Sequence, residues 1–140
     1  MNTSLFNALC PCGSSQFYSA CCSPFLDEIQ QPTTAEALMR SRYSAYVHAR
    51  QDYLLRTWHE STRPDHLDFS DAGMMTWLGL KIIRIEAGGP HDSQGIVEFV
   101  ARYKVGGKAH RIVEISRFIR ENGQWFYLNG VLPVNSPIRR

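Results

Sequence analysis

Apolar positions in the first half of the chain follow the spacing of helices. Thr33-x-x-Glu36 is typical of a capping box and predicts the start of a first helix, because apolar residues then recur every three or four positions. The segment from Gln51 to His59 predicts a second helix, and the segment from Asp68 to Leu78 predicts a short third one. These helices precede all of the predicted strands.

The second half alternates strand-like segments with turn residues. Gly106-Gly107 and Asn122-Gly123 have the composition of two-residue hairpin turns. The predicted strands are Lys81 to Glu86, Ile96 to Val105, Lys108 to Glu121 and Gln124 to Leu132. This order predicts an α+β fold in which three helices pack on a curved, mainly antiparallel sheet of about four strands.

The hairpin turns also predict which residues share a face of the sheet. With Val105 opposite Lys108, one face collects Phe99 and Ala101 together with the polar residues Glu114 and Ser116. The opposite face is apolar as well, and the helices can cover only one of the two. The uncovered face predicts a homodimer that forms through the sheet, or a protein partner at the same surface.

Composition and charge narrow the class of protein. Hydrophobic residues make up 44% of the chain and charged residues 20%, which is typical of a globular domain. The start carries neither the basic residues nor the apolar core of a secretory signal, and no apolar run is long enough to span a membrane. We therefore expect a cytoplasmic protein that does not associate with membranes.

All four cysteines lie in the first 22 residues, as Cys10-x-Cys12 and Cys21-Cys22. Neighbouring cysteines bridge each other only with strain, and cytoplasmic thiols stay reduced or bind metal. Four thiolates suit a tetrahedral zinc ion and leave no open position for a substrate, so the spacing predicts structural zinc. Iron in the same cage and a cross-bridged pair of disulfides are the alternatives.

The first pair of cysteines is followed by a turn sequence, and together they resemble a known motif. Cys10-Pro11-Cys12-Gly13-Ser14 with Cys21-Cys22 resembles the SEC-C motif, the metal-binding tail of the SecA translocation ATPase. The resemblance implies a zinc site and a protein partner, in a setting of protein export or quality control. Either amide donors, or Arg40 and Arg42 folding back from the next element, are expected to offset the negative charge of a zinc ion held by four thiolates.

The loop between the cysteine pairs differs from the lysine-rich loop of SecA. Residues 1–39 contain neither lysine nor arginine, and residues 1–30 contain two acids. This composition argues against a nucleic-acid partner, because phosphate contacts need basic side chains. The aromatic residues Phe17, Tyr18 and Phe25 are instead the predicted contacts for a protein partner that the sequence does not identify.

The remainder of the chain resembles the YchJ-like family. The resemblance rests on Thr34-Ala35-Glu36-Ala37-Leu38-Met39-Arg40-Ser41-Arg42-Tyr43-Ser44-Ala45-Tyr46 and on Asp52-Tyr53-Leu54-Leu55-x-Thr57-Trp58-His59. Members of that family join a SEC-C motif to a cone-shaped domain that is similar to nuclear transport factor and to SnoaL-like proteins. The resemblance implies a metal-binding knuckle over residues 1–30 and a cone domain over residues 31–140, and it leaves the activity open.

A cone of this type often encloses a pocket, and six residues are candidates to line it. They are Arg42, Tyr46, His59, His110, Glu114 and Ser116. His110 and Glu114 stand about 13 Å apart on one strand and cannot pair directly. We interpret the chain as a non-catalytic protein-interaction module, and a hydrogen-bonded core network explains the polar residues. The alternative is a small-molecule-binding protein or an acid–base enzyme with His110 or Glu114 as the base.

Overall fold

The computed structural model describes residues 8–70 and 72–132. Two 3-10 turns, Tyr18–Ala20 and Ala72–Met74, accompany the regular elements. The helices are α1 (Ser23–Leu26), α2 (Ala35–Val47) and α3 (Gln51–Arg56), and the strands are β1 (Met75–Ala87), β2 (Gln94–Val105), β3 (Lys108–Glu121) and β4 (Gln124–Val131). The strands form one antiparallel sheet in the order β1-β2-β3-β4, which confirms the predicted α+β class.

The helices differ from the prediction in their positions. Thr34, and not Thr33, caps α2, since its hydroxyl accepts a hydrogen bond from the backbone amide of Ala37 at 3.0 Å. The predicted helix over Asp68 to Leu78 is wrong, because β1 already begins at Met75. From Met75 onward the backbone pairs with the long strand β2, and this places the Trp77 ring against Tyr43 of α2, with 5.6 Å between centroids. The third helix is instead the single turn α1.

The strand register follows the hairpin turns. Val105 lies opposite Lys108, as predicted, and the same register places Phe99 opposite Glu114. Between Arg117 and Phe118 a bulge shifts the pairing with β4. As a result, Gly130 lies opposite Ser116.

Helix α2 approaches the sheet closely at its first residue. The backbone amide of Ala35 donates a hydrogen bond to the carbonyl of Gly88 at 2.9 Å. A side-chain carbon at Gly88 would meet the Ala35 side chain at 2.8 Å, and Gly88 has a φ of +80°, so only glycine fits there. The contact holds α2 across the face of the sheet that contains Phe99.

The face of the sheet that α2 does not cover is apolar at its centre. Val100 and Val113 lie opposite each other there, and both are half-buried. Self-association through this face stays a prediction.

Candidate metal centre and cone cavity

The first described residues fold back on themselves and carry two of the cysteines. The backbone amide of Cys10 donates to the carbonyl of Gln16 at 2.7 Å, and Gly13 makes the turn with a φ of +83°. A side-chain carbon at Gly13 would lie 3.0 Å from the carbonyl oxygen of Leu80. The turn therefore packs directly on strand β1.

The four cysteine sulfurs converge, and all lie within 4.8 Å of one another. All four cysteines are free, and Cys10, Cys12 and Cys22 are buried while Cys21 is half-buried. The Cys12 sulfur lies 3.6 Å from that of Cys21, which lies 4.0 Å from that of Cys22. Sulfurs at about 2.3 Å from a tetrahedral ion are about 3.8 Å apart, so the cluster fits a metal ion.

The thiols of the cluster differ in how easily they ionise. Hydrogen bonds from Cys10 and Cys22 hold the pKa of the Cys12 thiol well below its usual range. Burial raises the pKa of Cys21 to about 11, and hydrogen bonding to Cys10 and Cys12 raises the pKa of Cys22. The Cys12 thiolate is thus stabilised by its neighbours, whereas Cys21 and Cys22 need a cation in order to ionise.

Side chains from α2 and from the loop surround the sulfurs. The Ser44 hydroxyl lies 3.5 Å from the Cys10 sulfur, and the Ser14 hydroxyl lies 3.1 Å from that of Cys21. Arg40 donates a hydrogen bond to the carbonyl oxygen of Cys12 at 2.6 Å. Arg40 therefore lies beside the cluster, where it also pairs with Glu36 at 2.9 Å, and its role in offsetting thiolate charge stays a prediction. Arg42 instead makes its hydrogen bonds to α3 and to the residue that follows it.

The predicted partner contacts have unequal access to solvent. The Phe17 side chain is 51% exposed, while Tyr18 and Phe25 are half-buried and pack against the core. The Tyr18 ring also lies against the His48 ring, with 4.9 Å between their centroids. Leu9 pairs with Phe17 across a β-bridge and is 62% exposed, an apolar neighbour that sequence reasoning missed.

The cone domain contains a cavity of about 310 Å³. Four of the predicted pocket residues line it, namely Arg42, Tyr46, Glu114 and Ser116. Aromatic rings form much of the wall, and they come from Tyr43, Tyr46, Trp58, Trp77, Phe99 and Tyr127. Trp58 and Tyr127 reach the cavity because the segment after α3 pairs with β4 through a parallel bridge.

The two predicted pocket histidines lie outside this cavity. His110 is exposed near the β2–β3 turn, and its ring stacks on Tyr103 at 5.2 Å between centroids. His59 follows the bridge to β4, and its Nε2 lies 3.1 Å from Oε1 of Glu121. Strand β4 pairs with β3 only from Ile115 onward, so His110 lies on the part of β3 that pairs with β2 alone, and it stays exposed.

A buried arginine forms the positive side of the cavity. Arg42 is only 4% exposed, and its Nη1 donates to the Leu54 carbonyl and to the Thr57 hydroxyl, each at 2.8 Å. Its guanidinium lies 4.6 Å from the centroid of the Tyr127 ring and 5.1 Å from that of Trp58. Burial lowers the pKa of Arg42, and both rings stabilise its positive charge.

A buried carboxylate forms the negative side. Oε2 of Glu114 accepts hydrogen bonds from the Ser116 hydroxyl at 2.8 Å and from the Tyr127 hydroxyl at 3.0 Å. Burial, together with the nearby charge of Glu114, raises the pKa of Tyr127. Tyr127 therefore stays a phenol at neutral pH and acts as a hydrogen-bond donor.

Comparison with protein families identifies one match that covers most of the cone domain. Residues 34–130 match the family model described as the middle, NTF2-like domain of YchJ. Curated relatives include a UPF0225 protein from Chromobacterium violaceum, 56% identical over 128 residues that cover 89% of this chain and 93% of the relative. Another UPF0225 protein, from Xanthomonas oryzae pv. oryzae, is 46% identical in a match that covers 92% of this chain and 98% of that relative.

Solved structures agree with this match. The solution structure of a SEC-C motif containing protein from Rhodopseudomonas palustris has a TM-score of 0.77 and 33% identity, covering 89% of this chain and 98% of its own. A crystal structure of a SEC-C motif containing protein from Psychrobacter arcticus has a TM-score of 0.74 and 25% identity. The match covers 94% of this chain and 86% of the Psychrobacter chain.

The helices are also informative about membranes. In the part of the chain that the structure describes, none of them combines the length and the apolar character that a bilayer crossing demands.

Proposed function

The chain belongs to the YchJ family, and on this premise we propose that it is a cytoplasmic, non-catalytic protein-interaction module held together by structural zinc. The observation that supports the proposal is the convergence of four cysteine sulfurs within 4.8 Å at the contact between the knuckle and α2. Four protein ligands complete a tetrahedral zinc site and leave no position for a substrate. The metal then serves to fasten the N-terminal segment to the cone domain.

Zinc is the proposed ion because the donor set consists of four cysteine sulfurs that lie within 4.8 Å of one another, and four thiolates are a common donor set of structural zinc. We expect purified native protein to contain one zinc ion per chain, measured by inductively coupled plasma mass spectrometry of protein made without added metal. Iron in the same cage would instead be detected as iron and would colour the protein, because thiolate-bound iron absorbs visible light. Iron as the main metal would contradict the assignment of zinc but would leave the structural role intact.

The surface beside the metal site is the proposed contact for a protein partner. Leu9 and Phe17 are exposed next to each other on a segment that the metal would make rigid, and Ile29 is 76% exposed after α1. Rigid apolar anchors bind partners at a low entropic cost. By analogy with the SecA tail, the partner would belong to protein export or quality control.

Affinity capture tests this surface with a matched pair of variants. Phe17→Ser is expected to reduce the amount of captured partner at least tenfold. Val131→Ser on β4 changes a residue that is exposed to a similar extent, at 54%, and is expected to leave that amount unchanged. Both variants should keep their zinc, so a loss of binding reports the surface and not the metal. Equal capture by Phe17→Ser and the unmodified protein would exclude the knuckle surface.

A further inference from the structure

We infer that the cone cavity binds a planar aromatic monocarboxylate of one or two rings, and that the carboxylate pairs with the buried guanidinium of Arg42. The inference concerns the cone domain and does not rest on the proposed function, which concerns the knuckle. Four observations carry it, namely the unused donors of Arg42, its charge, the aromatic walls and the size of the cavity.

Arg42 has hydrogen-bond donors that the described chain does not use. Its Nη1 donates to the Leu54 carbonyl and to the Thr57 hydroxyl, whereas its Nε and Nη2 have no acceptor within residues 8–70 and 72–132. Neither nitrogen belongs to the unpartnered side-chain atoms that are fully enclosed in these residues, so both are accessible. Because Arg42 is buried and lines the cavity, the accessible surface of these nitrogens faces it.

The charge of Arg42 has no ion-pair partner in the part of the chain that the structure describes. None of the ion pairs there includes it, and the charge of Glu114 acts on it from a greater distance. A buried cation is ordinarily paired, because taking it out of water is costly. Nε and Nη2 share one edge of the guanidinium, and this edge suits the two oxygens of a carboxylate. A carboxylate bound there would complete the missing ion pair.

Aromatic rings hold the guanidinium and form much of the wall. The guanidinium carbon lies 4.6 Å from the centroid of the Tyr127 ring and 5.1 Å from that of Trp58. Elsewhere in the wall, Tyr43 meets Trp77 edge to face, with 5.6 Å between centroids. These contacts limit the freedom of the cation and of the rings before a ligand enters. A flat ring system can then stack on the wall, with its carboxylate at Arg42, at a low entropic cost.

The size of the cavity limits the ring system. Cavities of about 150 Å³ hold a single benzene ring, and natural ligand pockets begin at about 300 Å³. The cone cavity, at about 310 Å³, lies at this lower limit. It therefore suits an aromatic acid of one or two fused rings.

A second charged residue limits the ligand to one negative charge. Glu114 is buried and lines the cavity, and its Oε2 accepts hydrogen bonds from the hydroxyls of Ser116 and Tyr127 at 2.8 and 3.0 Å. These donors stabilise its carboxylate beside a ligand anion. Among the described residues that line the cavity, Arg42 is the only basic one, so a second acid group would have no cation to pair with.

Three probes with the same ring system separate charge from shape. 2-Naphthoate is an anion at neutral pH, 2-naphthamide is neutral and has nearly the same shape, and naphthalene has no acceptor. In titrations of the full chain followed by ¹H–¹⁵N correlation spectra, we expect 2-naphthoate to bind at least tenfold more tightly than 2-naphthamide. It should move the Nε–H resonance of Arg42 and leave in place that of Arg40, whose Nε already donates to Glu36 at 2.9 Å.

Two variants change the charges of the cavity in opposite directions. Arg42→Met keeps an unbranched side chain without the charge and is expected to weaken 2-naphthoate at least tenfold, while naphthalene changes by less than about threefold. Glu114→Gln keeps an oxygen that can accept from Ser116 and Tyr127 but removes the negative charge. It is expected to tighten 2-naphthoate at least threefold and to change 2-naphthamide by less than about twofold. If Arg42→Met does not fold, Glu114→Gln decides the question by itself.

Several results would overturn the inference. Equal affinities for 2-naphthoate and 2-naphthamide, or an unmoved Arg42 resonance, would show that the guanidinium does not bind the carboxylate. Unchanged or weaker binding of 2-naphthoate to Glu114→Gln would show that the anion binds away from the charges of the cavity. No binding of any probe at millimolar concentration would show that the cavity is not a site for aromatic acids.

Discussion

Serine in place of Cys12 is expected to lower the free energy of unfolding by about 3–5 kcal/mol, because the variant loses one ligand of the proposed metal ion. The effect should reach the whole domain and not only the knuckle. Cys10, Cys12 and Cys22 belong to the same buried cluster as Leu38 and the other core residues. For a chain of this length the loss corresponds to a melting temperature lower by roughly 10–15 °C.

Calorimetry with and without a zinc chelator measures this effect. The chelator should destabilise the unmodified protein by a similar amount and should have little further effect on Cys12→Ser. A single transition in both proteins would show that knuckle and cone unfold together. An unchanged main transition, accompanied by early exchange of the knuckle amides, would instead show that the metal stabilises residues 1–30 alone.

Alanine at Gly130 is expected to cost about 3–5 kcal/mol, the second large effect. The side-chain carbon it adds would overlap the carboxylate of Glu114, which packs directly against the Gly130 backbone. Glu114 is buried and accepts two hydrogen bonds, so moving it adds the loss of those bonds to the cost of overpacking. Gly130 has no positive φ, so the expected cost is steric.

Denaturant unfolding with a double-mutant cycle isolates this contact. Gly130→Ala should cost little in a chain that already carries Glu114→Ala, because the overlapping carboxylate is then absent. Gly73→Ala is the matched control, since a side-chain carbon there meets nothing within 4 Å, and a change within about 0.5 kcal/mol is expected. An equal cost of Gly130→Ala in both backgrounds would contradict the contact with Glu114.

The hairpins show how much of the strand register the turn residues determine. Gly106-Gly107 and Asn122-Gly123 set the pairing of Val105 with Lys108 and of Glu121 with Gln124, and the register of β2 on β3 then follows residue by residue. Counting back from Glu121 opposite Gln124 would place Ser116 opposite Asn129, whereas Ser116 lies opposite Gly130. The bulge after Arg117 shifts the register by one residue, and no turn residue in the sequence marks it.

The segment from Asp68 to Leu78 shows where local signals are ambiguous. Its apolar residues Met74, Met75, Trp77 and Leu78 fit a helix as well as a strand over so short a window. The competition is decided by a distant partner, since Met75 pairs with Val105 and Trp77 with Tyr103. Nothing in the residues of this segment indicates that pairing.

The sequence by itself determined the cysteine cluster, the α+β class, the hairpin register and membership of the YchJ family. The cluster and the register depend on residues that are close together in the chain. The fold class and the family depend on the residue pattern along the whole chain. Tertiary structure decided which polar residues meet. It directs Arg40 to the carbonyl of Cys12, holds Arg42 against both Trp58 and Tyr127, and leaves His110 exposed. These outcomes depend on how α2 and the segment after α3 cross the sheet, and that crossing is set by close backbone approach and by pairing with a distant strand.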